Sequence, residues 1–404
     1  MPKKKKEEGR FALKVQHLGT IYRLIEQFEL ISRIDLSKLS GFAPASITAI
    51  TKELIQLQLI TERAVQTTIV RGRPAVGLCL SSSHWRTICG TLLENTFELT
   101  LCELNDKVIE KRSFSLQAEH MANLDVFLVQ SLKQFLADIK IDTLSLLAFS
   151  LTVAGRFDRT HTRLVKLGQY DVDIDLSAVF VPHFSVPVFI REYFQTWLFA
   201  ESTLGSIINC NNALFLQLDD VINMSVLVKG KILNSEKETR MNINRVNVPK
   251  LSELQDKINL ELPEIKRNQL HNQVTHQSIY QMVDLLFPQN TLPNNSQKID
   301  FVCEQANQGN PQAIQILYHV ADCVSYVLMN LVNIFSSEKV VISSSLLLAK
   351  DLFLARLNQK LQENLLLDDL HVDIVTSRYA WNSPILAASA IKQRIYDGSL
   401  LMNL

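Results

Sequence analysis

The amino-acid sequence predicts an α/β protein in which a small helical module with a two-stranded hairpin precedes a much larger body. Three observations predict this fold class. The 404 residues exceed one ordinary domain, and 47% of them are apolar, which is enough for a large core. Apolar residues recur at helical spacing over residues 18–57. Beyond residue 86, predicted strands alternate with helices, as in an α/β body.

The charge is distributed unevenly along the chain. Lysines and arginines equal aspartates and glutamates at 41 each. Residues 1–80 nevertheless carry 13 basic against 7 acidic side chains, so they hold a net charge of +6 and the rest holds −6. A basic module on an acidic body indicates contact with a polyanion, although a solvated surface explains the same count.

Several classes of protein are disfavoured by composition. The six cysteines are separated and mostly lie in apolar runs, which predicts buried, reduced thiols without a local zinc knuckle. The basic N-terminus is followed by no apolar segment typical of a signal peptide. No apolar run is expected to reach the roughly 18 residues that span a bilayer. We therefore predict a cytoplasmic protein.

Residues 18–57 predict three helices. The first has apolar residues at helical spacing from Leu18 to Phe28. Ser32 can cap the second, and Gly41 interrupts the pattern where a tight turn is expected. Pro44 would begin the third, where its missing N–H costs nothing. The residues predicted to face the core are Ile34, Leu36 and Leu39 in the second helix, and Ile47, Ile50, Leu54 and Leu57 in the third.

The opposite face of the third helix is short, polar or basic, which suits close approach to a DNA groove. A structural three-helix bundle is the alternative. The next segment favours a winged helix-turn-helix, because predicted strands at 59–65 and 75–80 flank Arg71-Gly72-Arg73-Pro74. Two arginines at a hairpin tip can enter a minor groove, or simply form an exposed basic turn. The outer face of the helix carries Ala45, Ser46, Thr48, Ala49 and Lys52.

Three runs, at 32–37, 43–48 and 71–78, resemble the repressor branch of the ROK family. The resemblance implies that the third helix reads the major groove and that the wing touches the minor groove. It also implies a double-stranded DNA operator with two half-sites, bound by a homodimer or homotetramer. The implied DNA-binding residues are Ser32, Arg33, Pro44, Ala45, Ser46, Thr48, Ala49, Lys52, Arg71, Gly72 and Arg73.

The order of elements in the body resembles the ROK sugar-kinase domain, which has the actin-like ATPase fold. The implied organisation is a basic tail at 1–10, a winged helix-turn-helix at 11–82 and a degenerate sugar-kinase-like body at 83–404. Its second lobe is expected at about 190–380. Residues 213–218 and 226–233 are predicted to form a strand pair within that lobe.

The residues that the kinase chemistry needs are missing from this chain. The first phosphate turn of the family is glycine-rich, whereas residues 90–95 hold one glycine and Glu94, which would repel phosphate. The family's aspartate base falls on Tyr193, which leaves Glu192 as the neighbouring carboxylate. Gly155, Arg156 and Asp158 could line a cleft or form a plain loop.

No cofactor is predicted. Residues 234–275 hold no cysteine and one histidine, His271, so the zinc site of the family is expected to be absent, and ATP binding is not expected. The remaining histidines are scattered singly and are predicted to be surface or packed residues. They include His161, His183, His276, His319 and His371.

The sequence thus predicts a regulator, a repressor by resemblance, rather than an enzyme. The resemblance implies release from DNA by a protein partner, such as a membrane sugar transporter of the phosphotransferase system, or by a small sugar. Two alternatives stay open: a sugar kinase with a DNA-binding appendage, which the missing residues disfavour, and an oligomeric scaffold with a relict head.

Overall fold

The structure is a computed structural model that describes residues 2–64, 76–140, 145–158, 163–233, 241–290, 292, 294–363, 371–380 and 383–404. The chain divides into two compact units. The first comprises residues 1–200 and 379–404, and the second comprises residues 201–378. The sequence placed the second lobe at about 190–380.

The head, which we define as residues 13–80, consists of three helices and a hairpin. Helix α1 buries Leu18, Ile21, Tyr22 and Ile25, whereas Phe28, at its end, is half exposed. Ile31 forms a β-bridge with Leu78, which adds a third, minimal strand to the hairpin. The elements are α1 (Pro2–Phe28), α2 (Arg33–Ser40), α3 (Pro44–Gln56), β1 (Ile60–Ala64) and β2 (Val76–Leu80).

The second helix corrects one expectation about the core. Only Leu36 is buried, whereas Ile34 is 69% exposed and Leu39 is 52% exposed. The reason is geometric: α2 has eight residues and turns one narrow side towards its neighbours, so positions on other sides of the helix face outward. The inner stripe of α3 is correct for Ile47, Ile50 and Leu54, which are buried, whereas Leu57 follows the end of the helix and is only partly buried.

The rest of the first unit surrounds a five-stranded sheet of order β10-β6-β3-β4-β5. Strands β3, β4 and β5 form an antiparallel meander, and β6 and β10 add in parallel. A small sheet, β7-β8-β9, follows β6. The elements are β3 (Trp85–Leu92), β4 (Thr96–Glu103), β5 (Val108–Ser115), α4 (Leu124–Asp138), β6 (Ser145–Val153), β7 (Gly155–Phe157), β8 (Leu164–Leu167), β9 (Tyr170–Ile174), α5 (Leu176–Phe180), β10 (Val188–Glu192), α6 (Tyr193–Leu204) and, after the second unit, α13 (Pro384–Tyr396).

The second unit repeats the same strand plan in the order β13-β12-β11-β14-β15, three antiparallel strands followed by two parallel ones. The predicted strand at 226–233 is wrong in its bounds. The strand that pairs with β11 begins at Ile222 and ends at Val228, and Lys231–Ile232 forms a separate short strand. The elements are β11 (Ala213–Leu218), β12 (Ile222–Val228), β13 (Lys231–Ile232), α7 (Glu264–Arg267), α8 (His271–Val274), α9 (His276–Leu286), α10 (Ser296–Asn307), α11 (Pro311–Phe335), β14 (Lys339–Ser343), α12 (Lys350–Gln362) and β15 (Asp373–Thr376).

Helix α11 is the central helix of the second unit. Asn310 caps it by accepting hydrogen bonds from the N–H groups of Gln312 and Ala313. By length and composition α11 could cross a membrane, contrary to the expectation from the sequence, but a core helix passes the same test. Twelve of its residues are buried, and Asp322 on it accepts two hydrogen bonds from Arg356 of α12, at 2.7 and 2.8 Å. These contacts are those of a core helix.

Candidate nucleic-acid interface

The outer face of α3 carries mostly short side chains. Because α3 turns Ile47, Ile50, Thr51 and Leu54 inward, the opposite side of the helix faces solvent. All five residues predicted on this face are exposed: Ala45, Ser46, Thr48, Ala49 and Lys52.

Local chemistry fixes the turn that presents α3. Ser32 caps α2 as predicted, its hydroxyl accepting a hydrogen bond from the Asp35 N–H at 3.1 Å. Gly41 ends α2 in the left-handed conformation (φ 71°), which glycine adopts without strain. Pro44 occupies the first turn of α3 and is exposed. The first turn of α3, whose N–H groups lack helical partners, is therefore open to an anion such as a phosphate.

Arg33 is held within the head. Its guanidinium donates to the Glu62 carboxylate at 2.7 Å and to the Thr51 hydroxyl at 3.0 Å. These bonds tie the start of α2 to α3 and β1. The geometry favours a positioning role for Arg33, and its predicted contact with DNA stays a prediction.

The base of the wing is described but its tip is not. Strands β1 and β2 pair antiparallel from Ile60 opposite Leu80 to Ala64 opposite Val76. The predicted minor-groove residues Arg71, Gly72 and Arg73 lie outside the described residues. Their contact with DNA stays a prediction.

In the first unit, Glu94 has a structural role that the sequence did not reveal. Its carboxylate accepts a hydrogen bond from the Gln169 N–H at 3.2 Å. It also packs on Gly168, where an added Cβ would lie 2.0 Å from the Glu94 carboxyl carbon. The carboxylate thus braces the turn between β8 and β9.

The position expected for a catalytic base is closed. Tyr193 is buried, and burial raises the pKa of its hydroxyl. Glu192 accepts a hydrogen bond from the Gln195 N–H at 3.0 Å, as a cap on the first turn of α6. Tyr193 is not a carboxylate, and the carboxylate of Glu192 is engaged as a helix cap, so neither residue is placed as a general base for a sugar hydroxyl.

The second unit contains a polar cluster that the sequence analysis missed. His276 Nδ1 lies 3.1 Å from Asp220 Oδ1, and Nε2 lies 2.8 Å from Ser345 Oγ and 3.3 Å from Asp219 Oδ1. The Ser345 N–H also donates to Asp219 at 2.8 Å. His276 was predicted to be an isolated surface or packed residue. Its partners are 56 to 69 positions away, so no local spacing could have indicated them.

The cluster favours a protonated imidazole. Burial alone would lower the pKa of His276, but hydrogen bonds and charge from Asp219 and Asp220 outweigh it and raise the pKa. The two carboxylates face different ring nitrogens rather than one common point. Within the residues that the structure describes, no group of three or more His, Cys, Asp or Glu is arranged to hold a metal ion.

Replacing His276 with glutamine is expected to remove a pH-dependent part of the stability of the second unit. A raised histidine pKa stabilises the fold fully below the unfolded value, and this stability is lost as the pH rises through the folded value. The wild type should therefore lose more stability than His276→Gln between about pH 6 and pH 8. Thermal unfolding at both pH values measures this, with the exposed His371→Gln as control. Identical pH dependence in the wild type and His276→Gln would contradict the assignment.

Known proteins resemble this chain over nearly its whole length. Residues 277–395 match the model of the ROK family. The chain is 25% identical over 97% of its length to the DNA-binding transcriptional repressor Mlc of Escherichia coli, of which it covers 96%. It is 23% identical over 96% of its length to the dual regulator NagC of the same species, of which it covers 94%.

Solved structures share the fold of this chain. A ROK family transcriptional regulator described as a homologue of Mlc superposes with a TM-score of 0.77 at 24% identity, covering 97% of this chain and 98% of that one. A ROK glucokinase from Streptomyces griseus superposes with a TM-score of 0.55 at 11% identity, covering 76% and 99%. The predicted fold class, a winged helix-turn-helix before a sugar-kinase-like body, is confirmed. The curated relatives are regulators rather than enzymes, which supports the prediction that this chain is not an enzyme.

Proposed function

We propose that this protein is a DNA-binding transcription regulator, a repressor of carbohydrate-uptake genes, that reads its operator with α3. The observation that carries the proposal is the outer face of α3, which is exposed while the opposite side of the helix is buried in the core of the head. The exposed residues are Ala45, Ser46, Thr48, Ala49 and Lys52. Short side chains let a helix backbone approach base edges closely, and Lys52 adds a charge for phosphate. The regulators Mlc and NagC match nearly the whole chain, head included.

The proposal extends to assembly and release. A two-half-site operator calls for a homodimer or homotetramer, because half-sites repeat the symmetry of the protein. Release by a protein partner, a membrane transporter of the phosphotransferase system, or by a small sugar would connect binding to sugar supply. A cytoplasmic, nucleoid-associated location follows from operator binding. The proposal includes neither ATP nor zinc, since the phosphate turns and zinc ligands of the family have no counterparts in the sequence.

Two observations weigh against the sugar-kinase alternative. Glu192 caps α6 through the Gln195 N–H, and the aspartate position is a buried tyrosine, Tyr193. The scaffold alternative would leave the polar and basic outer face of α3 without a use. If the head had no binding function, its exposed helix face would be expected to carry charged residues rather than alanines, because charged side chains are the ones usually found on solvated surfaces.

Selection of fragments of the source genome by the purified full-length protein, at two salt concentrations and without added sugar, tests the proposal. We expect enrichment of a two-half-site sequence near sugar-transport genes. Ser46→Glu should abolish the enrichment, because it places a carboxylate on the outer face of α3 near the phosphates, while the exposed side chain disturbs no core contact.

Gln56→Glu is the matched control, since it makes the same charge change at the exposed far end of α3 and should retain the enrichment. Weak, sequence-blind binding by the wild type would reject the regulator and favour the scaffold. Equal enrichment by Ser46→Glu and the wild type would reject α3 as the reading helix.

A further inference from the structure

A buried cluster of charges joins the head to the rest of the first unit. The Lys392 ammonium on α13 contacts the carboxylates of Glu26 on α1 and of Asp106 in the turn between β4 and β5. Tyr396 donates its hydroxyl hydrogen to Glu26 at 2.5 Å. The side chains of Lys392, Glu26 and Asp106 are at most 10% exposed. We call Glu26, Asp106, Lys392 and Tyr396 the Lys392 cluster.

Two glycines bring the same helices into backbone contact. A Cβ at Gly19 of α1 would lie 2.3 Å from the Tyr396 carbonyl oxygen and 2.5 Å from that of Ile395. A Cβ at Gly398 would lie 2.5 Å from the Val15 carbonyl. Such close approach beside the Lys392 cluster fixes the position of α1 on the C-terminal end of α13, and leaves little room for the charges to separate without undocking.

The cluster holds one more negative charge than positive. Lys392 contacts two carboxylates, and among the described residues no second cation forms an ion pair with either of them. Tyr22, Arg23 and Tyr396 surround the cluster from α1 and α13, with the Arg23 guanidinium 6.0 Å from the Tyr396 ring centre. On the sheet side, the thiols of Cys89 and Cys102 are buried beneath α13. Among the described residues, the Tyr22 hydroxyl is buried without a hydrogen-bond partner. The surplus charge is therefore poorly compensated.

We propose that the Lys392 cluster is a proton-sensitive joint, in which protonation of the buried Asp106 carboxyl tightens the hold of α13 on α1 and hence on the DNA-reading head. The inference rests on the proposed function only in calling the head DNA-reading; the joint itself is a property of the protein alone. A remote side chain on α13 thereby controls how rigidly α3 is presented.

The direction of the pH effect follows from Asp106. Burial raises the pKa of its carboxyl to about 6, although the charge of Lys392 lowers it and the charge of Glu26 raises it further. A carboxyl with a raised pKa binds its proton more tightly in the docked state. Docking is thus strongest below the usual aspartate value and weakens as the pH rises through about 6. The head should be held more loosely at neutral pH than in mild acid.

Hydrogen exchange of the full-length protein, corrected for the intrinsic rate at each pH, tests the joint directly. Asp106→Asn keeps an acceptor for Lys392 and removes the surplus charge. It is also free of added strain, because Asp106 has φ 64° and asparagine tolerates that region. We expect slower exchange in α1 and α13 than in the wild type at about pH 7.5, and no remaining pH dependence between about pH 5 and 7.5. Glu26→Gln should shift exchange in the same direction.

Lys392→Met makes the opposite change. It leaves two buried carboxylates without a cation, so exchange in α1 and α13 should accelerate by about a hundredfold while β6 serves as the internal reference. Lys133→Met, an exposed lysine of α4 in the same unit, is the matched control. Exchange in Lys392→Met no faster than in Lys133→Met, or an unchanged pH dependence in Asp106→Asn, would overturn the joint.

Operator affinity measured on the same samples separates the two proposals. Affinity that changes in step with exchange supports the joint as a control on reading. Exchange that changes as expected in a protein without sequence-specific DNA binding upholds the joint and rejects only the DNA-reading function. Exchange that changes while a specific affinity stays constant overturns the control of reading by α13.

Discussion

Replacing Lys52, Arg71 and Arg73 with alanine is expected to weaken DNA binding on the order of a hundredfold, with nearly the same loss on every sequence. Lys52 is exposed on α3, and the two arginines belong to the predicted wing tip. Each phosphate contact releases condensed counterions, so removing three contacts should lower the slope of log affinity against log salt by roughly three. Titration of one operator fragment and one unrelated fragment across a salt series measures both quantities.

A matched triple variant separates contact from net charge. Lys133, Lys229 and Lys350 are exposed in the body, outside the proposed interface. Their replacement by alanine makes the same change in total charge and should leave the salt slope nearly unchanged. A slope that falls equally in both triple variants would mean that overall charge, rather than these contacts, governs binding.

Replacing Gly19 with alanine should destabilise the first unit, although alanine is the better helix former. Propensity alone would favour the substitution by about 1 kcal/mol. The added Cβ would however lie 2.3 Å from the Tyr396 carbonyl oxygen and 2.5 Å from that of Ile395, and neither backbone atom can rotate away. Overpacking of this kind costs about 1–3 kcal/mol or more, so the clash should outweigh the propensity. A fall in Tm of a few degrees is expected, on the order of 3 °C.

Thr20→Ala is the control for Gly19→Ala. Thr20 is the next residue of α1, is exposed, and donates its hydroxyl hydrogen to the Gln16 carbonyl within its own helix. Its replacement should leave Tm nearly unchanged. A Tm that rises in Gly19→Ala would show that propensity decides the outcome and that α1 is not seated closely on α13.

The head illustrates what could be predicted from local patterns. The cap at Ser32, the turn at Gly41 and the inner stripe of α3 depend on residues a few positions apart, and all three are present. Ile34 and Leu39 were placed inside wrongly. Apolar character alone does not decide which side of a two-turn helix meets its neighbours, because that depends on how the helices cross.

The body illustrates the opposite case. The loss of the kinase residues was visible in the sequence, but the present roles of Glu94 and Glu192 were not. Glu94 meets Gln169 across 75 positions, and a carboxylate that looks repulsive to phosphate in isolation is instead the acceptor for a turn.

The sequence by itself determined the fold class, the exposed polar face of α3 and the absence of the residues that kinase chemistry requires. The exposed face of α3 depends on residue type and short-range periodicity, which a helix converts directly into faces, whereas the kinase-like body and its missing residues were inferred from the family resemblance. The tertiary structure alone decided the pairing of His276 with Asp219 and Asp220, and of Lys392 with Glu26 and Asp106. Those partners are between 56 and 366 positions apart. Their charges interact only because folding removes them from water and places them within hydrogen-bond reach. Desolvation there strengthens the attraction between opposite charges and raises the cost of any charge left without a partner.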